Sequence, residues 1–320
     1  MEIARNFKKL NKGDVMLAGG KGASLGEMTQ GGIPVPGGFV VLSNSFERFI
    51  KETEIAAEID HELHKVNHEE VKSVDEASKI IQEIILSKEM PKDIAKEILS
   101  HFKELDSEFV AVRSSATSED GAAAAWAGQL DSYLNTTKKD LLKNVQRCWA
   151  SLFTPRAIFY RFEKHLQKDA ISVAVVIQKM VNSEVSGIAF SVHPVTQDYN
   201  QMIIEAGLGL GEAIVSGQIT PDSYIADKEP RRIMEVNVSE QERGLFRKKG
   251  GGNEWKELGE KGKEQKLSGK QIDELAALIV KIEKHYGFPC DIEWAFEKGK
   301  FYIVQSRPIT TLTQPEVKKK

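Results

Sequence analysis

Apolar residues recur at helical spacing through much of the first half of the chain and alternate with polar ones near its end. Residues 51–105 are polar and rich in Glu and Lys, and Ile80, Ile81, Ile84 and Ile85 predict one buried helical stripe within them. Pro91 suits the start of a further helix over residues 94–102. Leu141, Val145, Trp149, Leu152 and Phe153 predict the core face of a helix spanning residues 140–162. Leu275, Leu278, Ile279 and Ile282 do the same for residues 271–286, with Ser268 as the cap. Nearer the start, a glycine cluster precedes a helical stretch at residues 23–28, and residues 33–38 read as rigid loop. Ser43 or Asn44 is placed to cap the next helix, which holds Phe46, Phe49 and Ile50. Strands are predicted at residues 39–42, 109–113, 173–180, 187–192 and 202–205, the second delivering Arg113 at its end. Residues 231–265 are charged and broken by three glycines, which predicts exposed hairpins and loops. Helical blocks combined with antiparallel strands predict an α+β fold, not a doubly wound parallel sheet.

The last strand pair carries the most chemistry. In an extended strand every second side chain shares a face, so Asp291 and Glu293 point one way, as do Gln305 and Arg307. A hairpin turning through residues 298–300 sets Glu293 opposite Gln305 and Asp291 opposite Arg307. Two carboxylates, an amide oxygen and a guanidinium then occupy one small patch. Hard oxygen ligands beside a fixed cation suit a polyphosphate carrying Mg²⁺.

The 320 residues suffice for one large domain or two lobes. A hydrophobic fraction of 41% and a charged fraction of 28% are those of an ordinary water-soluble protein. The formal net charge of −3 provides no global field for nucleic acid. The two cysteines, Cys148 and Cys290, form no CxxC pair, so neither a disulfide framework nor a zinc site is expected. The first residues hold no apolar signal core and no apolar run approaches membrane-spanning length, which together predict a cytoplasmic protein.

Other motifs are less specific. Gly20-Lys21-Gly22 lies near a helix start, where backbone N–H groups favour anions, but a simple tight turn remains open. It is no Walker A loop, since its spacing differs and no Ser or Thr follows the lysine. Arg113 and the hydroxyl-rich residues after it make a donor-rich corner, or else an N-cap region with a surface arginine. The small residues around Trp126 permit either loop closure over a ligand or close packing. The glycines at 207, 209 and 211 match a dinucleotide fingerprint only superficially, because the third comes one position early. His61 and His64 lack HExxH spacing, and no serine sits in GxSxG, so nothing here marks an acyl-transfer nucleophile.

Taken together, residues 19–28, 33–39, 112–116, 127–129, 178–181, 209–212, 291–293 and 305–308 resemble the ATP-binding, N-terminal domain of the phosphoenolpyruvate synthase and pyruvate phosphate dikinase family, which rifampin phosphotransferases share. The matches follow the family's order and span nearly the whole chain. The resemblance implies an ATP-grasp-like fold over residues 1–312, in which two lobes clasp ATP in a cleft, with residues 313–320 as linker or tail.

It also implies roles residue by residue. Lys21 and Arg113 would hold phosphates, with Gly128 and Ser132 on a loop covering them. Gln178 would lie near the adenine on the linking strand. Glu293 and Gln305, with Asp291 beside them, would bind Mg²⁺, and Arg307 would meet the transferring phosphate. Ser132 stands where the family usually has threonine, and residues 122–125 replace a more polar run with alanines.

Family members carry a swivelling domain with a phosphorylatable histidine, then usually a pyruvate-binding barrel. Neither is present in this sequence, which therefore reads as a separated domain or one subunit of a split enzyme. The implied activity is transfer of phosphate from MgATP to a histidine on another domain or chain, with pyruvate as final acceptor and phosphoenolpyruvate, AMP and phosphate as products. Two alternatives stay open: an antibiotic-modifying phosphotransferase, to which residues 185–196 and 211–217 look at least as close, and a nucleotide-binding module without turnover.

Overall fold

The computed structural model describes residues 1–117, 131–164, 166 and 172–312. Its chain divides into two compact units. One comprises Met1–Gln30, Gly37–Met180 and Lys249–Gly252; the other comprises Gly31–Pro36, Val181–Lys248 and the chain from Asn253 onward.

The first unit is built on strands β1 (Ala4–Asn6), β2 (Gly38–Val41), β3 (Val110–Ala116), β4 (Ser132–Thr136) and β5 (Val173–Lys179), in the order β1-β2-β5-β3-β4. Every neighbouring pair is antiparallel. Its helices are α1 (Val15–Gln30), α2 (Ser43–Glu52), α3 (Ala56–His64), α4 (Val71–Ser87), α5 (Lys92–Leu105), α6 (Leu141–Ala150) and α7 (Pro155–Glu163). One face of the sheet presents Phe39, Val41, Val110, Val112, Val175 and Ile177 to a core closed by Phe46, Phe49, Ile81, Ile85, Ile94, Ile98 and Trp149. The opposite face receives α1, where Gly22 packs so closely on Val40 that an added Cβ would lie 2.9 Å from its methyl group.

The second unit holds β6 (Val185–Phe190), β7 (Gln201–Leu208), β8 (Asp222–Lys228), β9 (Arg231–Asn237), β12 (Cys290–Glu297) and β13 (Lys300–Pro308), ordered β13-β12-β6-β7-β8-β9 and antiparallel throughout. Between them in sequence come α8 (Glu212–Val215), the hairpin β10 (Arg243–Arg247) and β11 (Asn253–Glu257), and α9 (Gly269–Tyr286). Ser268 and Gln271 close a reciprocal capping box on α9, and Gly287, at φ 77°, ends it in the left-handed region. Helix α9 buries Ile272, Leu275, Ile279 and Ile282 on the side of the sheet that carries Ile292 and Trp294.

The antiparallel sheets and separate helical blocks agree with the α+β expectation. Several boundaries move. Strand β3 runs on to Ala116, so Arg113 is mid-strand, not terminal. The helix expected over residues 140–162 is interrupted by a tight turn at Ser151–Phe153 and restarts at Pro155, where Thr154 caps it by accepting from the Ala157 N–H. In α4, Ile81 and Ile85 are buried but Ile80 is exposed, because Val74, Ala77 and Ser78 complete the inward stripe instead. Neither Ser43 nor Asn44 caps α2: Ser43 Oγ donates to the Met16 carbonyl and Asn44 Nδ2 to that of Glu2. Strands β1, β4 and β8 answer to no predicted element.

Candidate functional site

In the first unit, the early lysine segment and the Arg113 segment meet although about ninety residues separate them. Helix α1 breaks at Gly19, with φ 65° and ψ 171°, and restarts at Gly20. A Cβ on Gly19 would collide with the Ser115 hydroxyl and carbonyl, so the approach to β3 requires glycine. Ser115 Oγ accepts from the backbone N–H groups of Lys21 at 3.1 Å and Gly22 at 3.3 Å, capping the restarted helix from a neighbouring strand. Those two donors, expected from sequence to favour an anion, are thus engaged by a serine. Lys21 Nζ reaches the Ser114 carbonyl at 2.8 Å, beside Arg113.

Register then fixes the rest of this face. Arg113 opposes Val176 on β5 and Ser132 on β4, while Gln178 opposes Ala111 on β3 and Gly38 on β2. Directly opposed residues of antiparallel strands share a face. Arg113, Ser115, Ser132 and Gln178 therefore project from the same side of one sheet, the side that α1 partly covers. Gln178 is buried, and its Nε2 has no hydrogen-bond partner among the described residues. An orphaned buried amide donor is costly unless a ligand meets it. Gly128 lies outside the described residues, as does the segment around Trp126.

In the second unit, the terminal hairpin pairs as its alternation predicts. The turn places Lys298 at φ 50° and Gly299 at φ 77°, the positive pair that a two-residue hairpin turn needs. Asp291 opposes Arg307 and Glu293 opposes Gln305, with a bulge following Glu293. Gln305 Nε2 donates to Glu293 Oε1 at 2.8 Å, so the amide presents its nitrogen to the carboxylate. Arg307 Nε and Nη2 both meet Asp291 Oδ2, at 2.8 and 2.7 Å. Burial raises the Asp291 pKa, and the adjacent guanidinium opposes that rise.

The donor set fits Mg²⁺ in one respect. Two hard oxygen side chains on adjacent strands, Glu293 and Gln305, form the kind of partial shell that Mg²⁺ completes with phosphate and water oxygens. Among the described residues no cluster of three or more His, Cys, Asp or Glu side chains could hold a metal alone. Nor is either thiol poised as a nucleophile: burial pushes Cys148 and Cys290 each up to about 12. No helix among the described residues is long and apolar enough to cross a membrane.

From sequence, Ser115 is only one of the hydroxyl residues after Arg113, with no task of its own. A serine two positions past an arginine signals nothing by itself; its task exists only once β3 meets the break in α1.

Comparison with known proteins bears on this arrangement. The family model of the pyruvate phosphate dikinase AMP/ATP-binding domain matches residues 15–320. A probable phosphoenolpyruvate synthase of Methanocaldococcus jannaschii is 43% identical across 100% of this chain and 28% of its own length. One from Archaeoglobus fulgidus is 48% identical over 95% of this chain and 41% of its own. Rifampicin phosphotransferase of Bacillus cereus is 40% identical over 98% of this chain and 36% of that protein. The chain thus spans less than half the length of each of these relatives.

Proposed function

Because this chain belongs to the pyruvate phosphate dikinase AMP/ATP-binding domain family, we propose that it binds MgATP and acts as the phosphoryl-donating part of a phosphoenolpyruvate synthase. The observation that carries this reading is the β12–β13 ribbon, which sets Glu293 with Gln305 and Asp291 with Arg307 on one patch. The relatives' names supply the synthase class, and the ribbon supplies a chemistry for it.

In this reading Lys21 and Arg113 bind phosphate oxygens, Ser132 and Gly128 belong to the loop over them, and Gln178 offers its orphaned amide to the adenine. Glu293 and Gln305 would hold Mg²⁺, with Asp291 as a further carboxylate; the bound ion would neutralise charge on the β- and γ-phosphoryl oxygens. Asp291 holds the Arg307 guanidinium by one oxygen and so presents a preset fork to the phosphoryl group in transfer. Positioning and charge neutralisation suffice for this chemistry without a nucleophile on the chain. The acceptor is a histidine on a further domain or partner chain, and pyruvate takes the phosphate last. The setting of this activity is cytoplasmic.

A rifampicin phosphotransferase-like enzyme is the second reading, favoured by the 40% identity to that protein. The test adds the histidine-bearing domain of a relative and follows its phosphorylation from radiolabelled ATP. Glu293→Ala and Arg307→Ala are expected to abolish the label. Normal rates in both variants would remove the site assignment; with a relative's acceptor-binding domain added as well, pyruvate and rifampicin supplied in turn identify the acceptor.

A further inference from the structure

Glu205 belongs to the same cross-strand row as the proposed metal ligands. Gln305 opposes Glu293, Glu293 opposes Ile188, and Ile188 opposes Glu205. All therefore project from one face of the sheet, the one opposite α9. Two inter-strand steps place Glu205 about 10 Å from Glu293. Between and beside them lie Ile188, Phe190 and Ile203, each half-buried, so the row runs from polar groups across apolar surface to a lone carboxylate.

No described residue gives that carboxylate a role in the fold. Among the described residues its oxygens accept no hydrogen bond and form no ion pair. Burial alone raises its pKa, with no neighbouring charge or donor contributing. A half-buried acceptor without a donor is unfavourable until a ligand brings one. A nucleoside triphosphate carries no donors on its ionised phosphates; its donors are the ribose hydroxyls and the base amine. In an extended nucleotide the ribose lies about as far from the outer phosphates as Glu205 lies from Glu293. Two adjacent hydroxyls match the two oxygens of a carboxylate, and a charged acceptor strengthens both bonds.

We propose that Glu205 receives the vicinal ribose hydroxyls of the bound nucleotide and sets its preference for ribonucleotides. The inference rests on the nucleotide reading of the ribbon. Ile188 and Phe190 supply the apolar surface beneath the sugar.

Calorimetric titration of the 320-residue chain tests it, with Mg²⁺ present and ATP, 2′-deoxyATP, 3′-deoxyATP and the triphosphate of purine riboside as ligands. The native chain is expected to bind ATP roughly tenfold more tightly than either deoxynucleotide. Glu205→Ala is expected to lose that factor for ATP and keep the deoxynucleotide affinities, bringing the ratios close to one; the isosteric Glu205→Gln guards against misfolding and should show an intermediate ratio. Purine riboside triphosphate, lacking the base amine, should respond to Glu205→Ala as ATP does. Ratios unchanged by the substitution, an equal loss for all four ligands, or an effect that vanishes with purine riboside triphosphate would each overturn this inference alone. A native chain that binds no MgATP would overturn the nucleotide reading and this inference with it.

Discussion

Asp291 Oδ2 accepts from Arg307 Nε at 2.8 Å and lies 2.7 Å from its Nη2, and the carboxylate is far more buried than the guanidinium it holds. The pair fixes the fork's direction while leaving it partly open to solvent. Arg307→Lys keeps the charge but loses that geometry. It is expected to lower phosphorylation of an added histidine domain at least a hundredfold, and Asp291→Asn to lower it less while leaving MgATP affinity within a few-fold. Single-turnover rates decide; near-native turnover by the lysine variant would show that charge alone suffices.

Gln178 separates stability from binding. Its Nε2 is buried without a partner among the described residues. Gln178→Leu removes that donor, so stability should hold or rise by about 1 kcal/mol. Nucleotide affinity should fall at the same time. Thermal unfolding and calorimetry on one sample check both, and parallel losses would make the glutamine merely structural.

The break in α1 is expected to be sensitive. Gly19→Ala meets both a positive φ and the Ser115 backbone, which predicts a loss of about 2 kcal/mol or more. Ser115→Ala strips the restarted helix of its acceptor and should cost about 1 kcal/mol. Denaturant midpoints at constant slope measure both.

In the second unit, Lys266 and Asp222 form an ion pair at 3.0 Å with both side chains fully buried. Asp222 also accepts from the Tyr224 hydroxyl and from the backbone N–H groups of Ser239 and Lys266. Breaking such a pair costs about 3–5 kcal/mol. Asp222→Ala should cost more than Lys266→Met, because it strands three further donors. Equal losses would mean that only the charges matter.

Glu205 gives a pH dependence with a definite sign. Burial raises its folded pKa above the unfolded value, so the folded state binds the proton more tightly. Its favourable contribution is complete below the unfolded pKa and is lost as pH rises through the folded one. Glu205→Gln should therefore gain melting temperature relative to the native chain at pH 7, and the gain should disappear in acid. A gain that grows in acid would contradict the assignment.

The terminal ribbon was legible in the sequence because alternation, a Lys-Gly turn and four polar residues at fixed offsets determine its pairing without reference to the rest of the fold. Helix α9 was legible through its Ser268 cap and apolar stripe, whereas the reciprocal bond from Gln271 emerges only in the structure. Strand β8 was not: Asp222 and Tyr224 are buried polar groups whose role depends on Lys266 and Leu267, more than forty residues away. The place of Arg113 within β3 was misjudged for a similar reason. Ser114 and Ser115 look like loop residues until partners are known: Ser114 Oγ bonds with Ser151 and the Cys148 carbonyl, and Ser115 caps α1. Glu205 was seen only as the end of a strand, since its alignment with Glu293 is a property of strand order, not of spacing.

On β12, Asp291 and Glu293 face the site while Ile292 and Trp294 are sealed into the interior. Odd and even positions thus serve separate ends, which makes the strand tolerant of substitution but intolerant of changes in length. Deleting one residue ahead of the bulge would drive carboxylates inward and tryptophan outward together. Among surviving homologues, gaps and insertions should be displaced to the loops, while point replacements on the site side could retune catalysis without unravelling the protein.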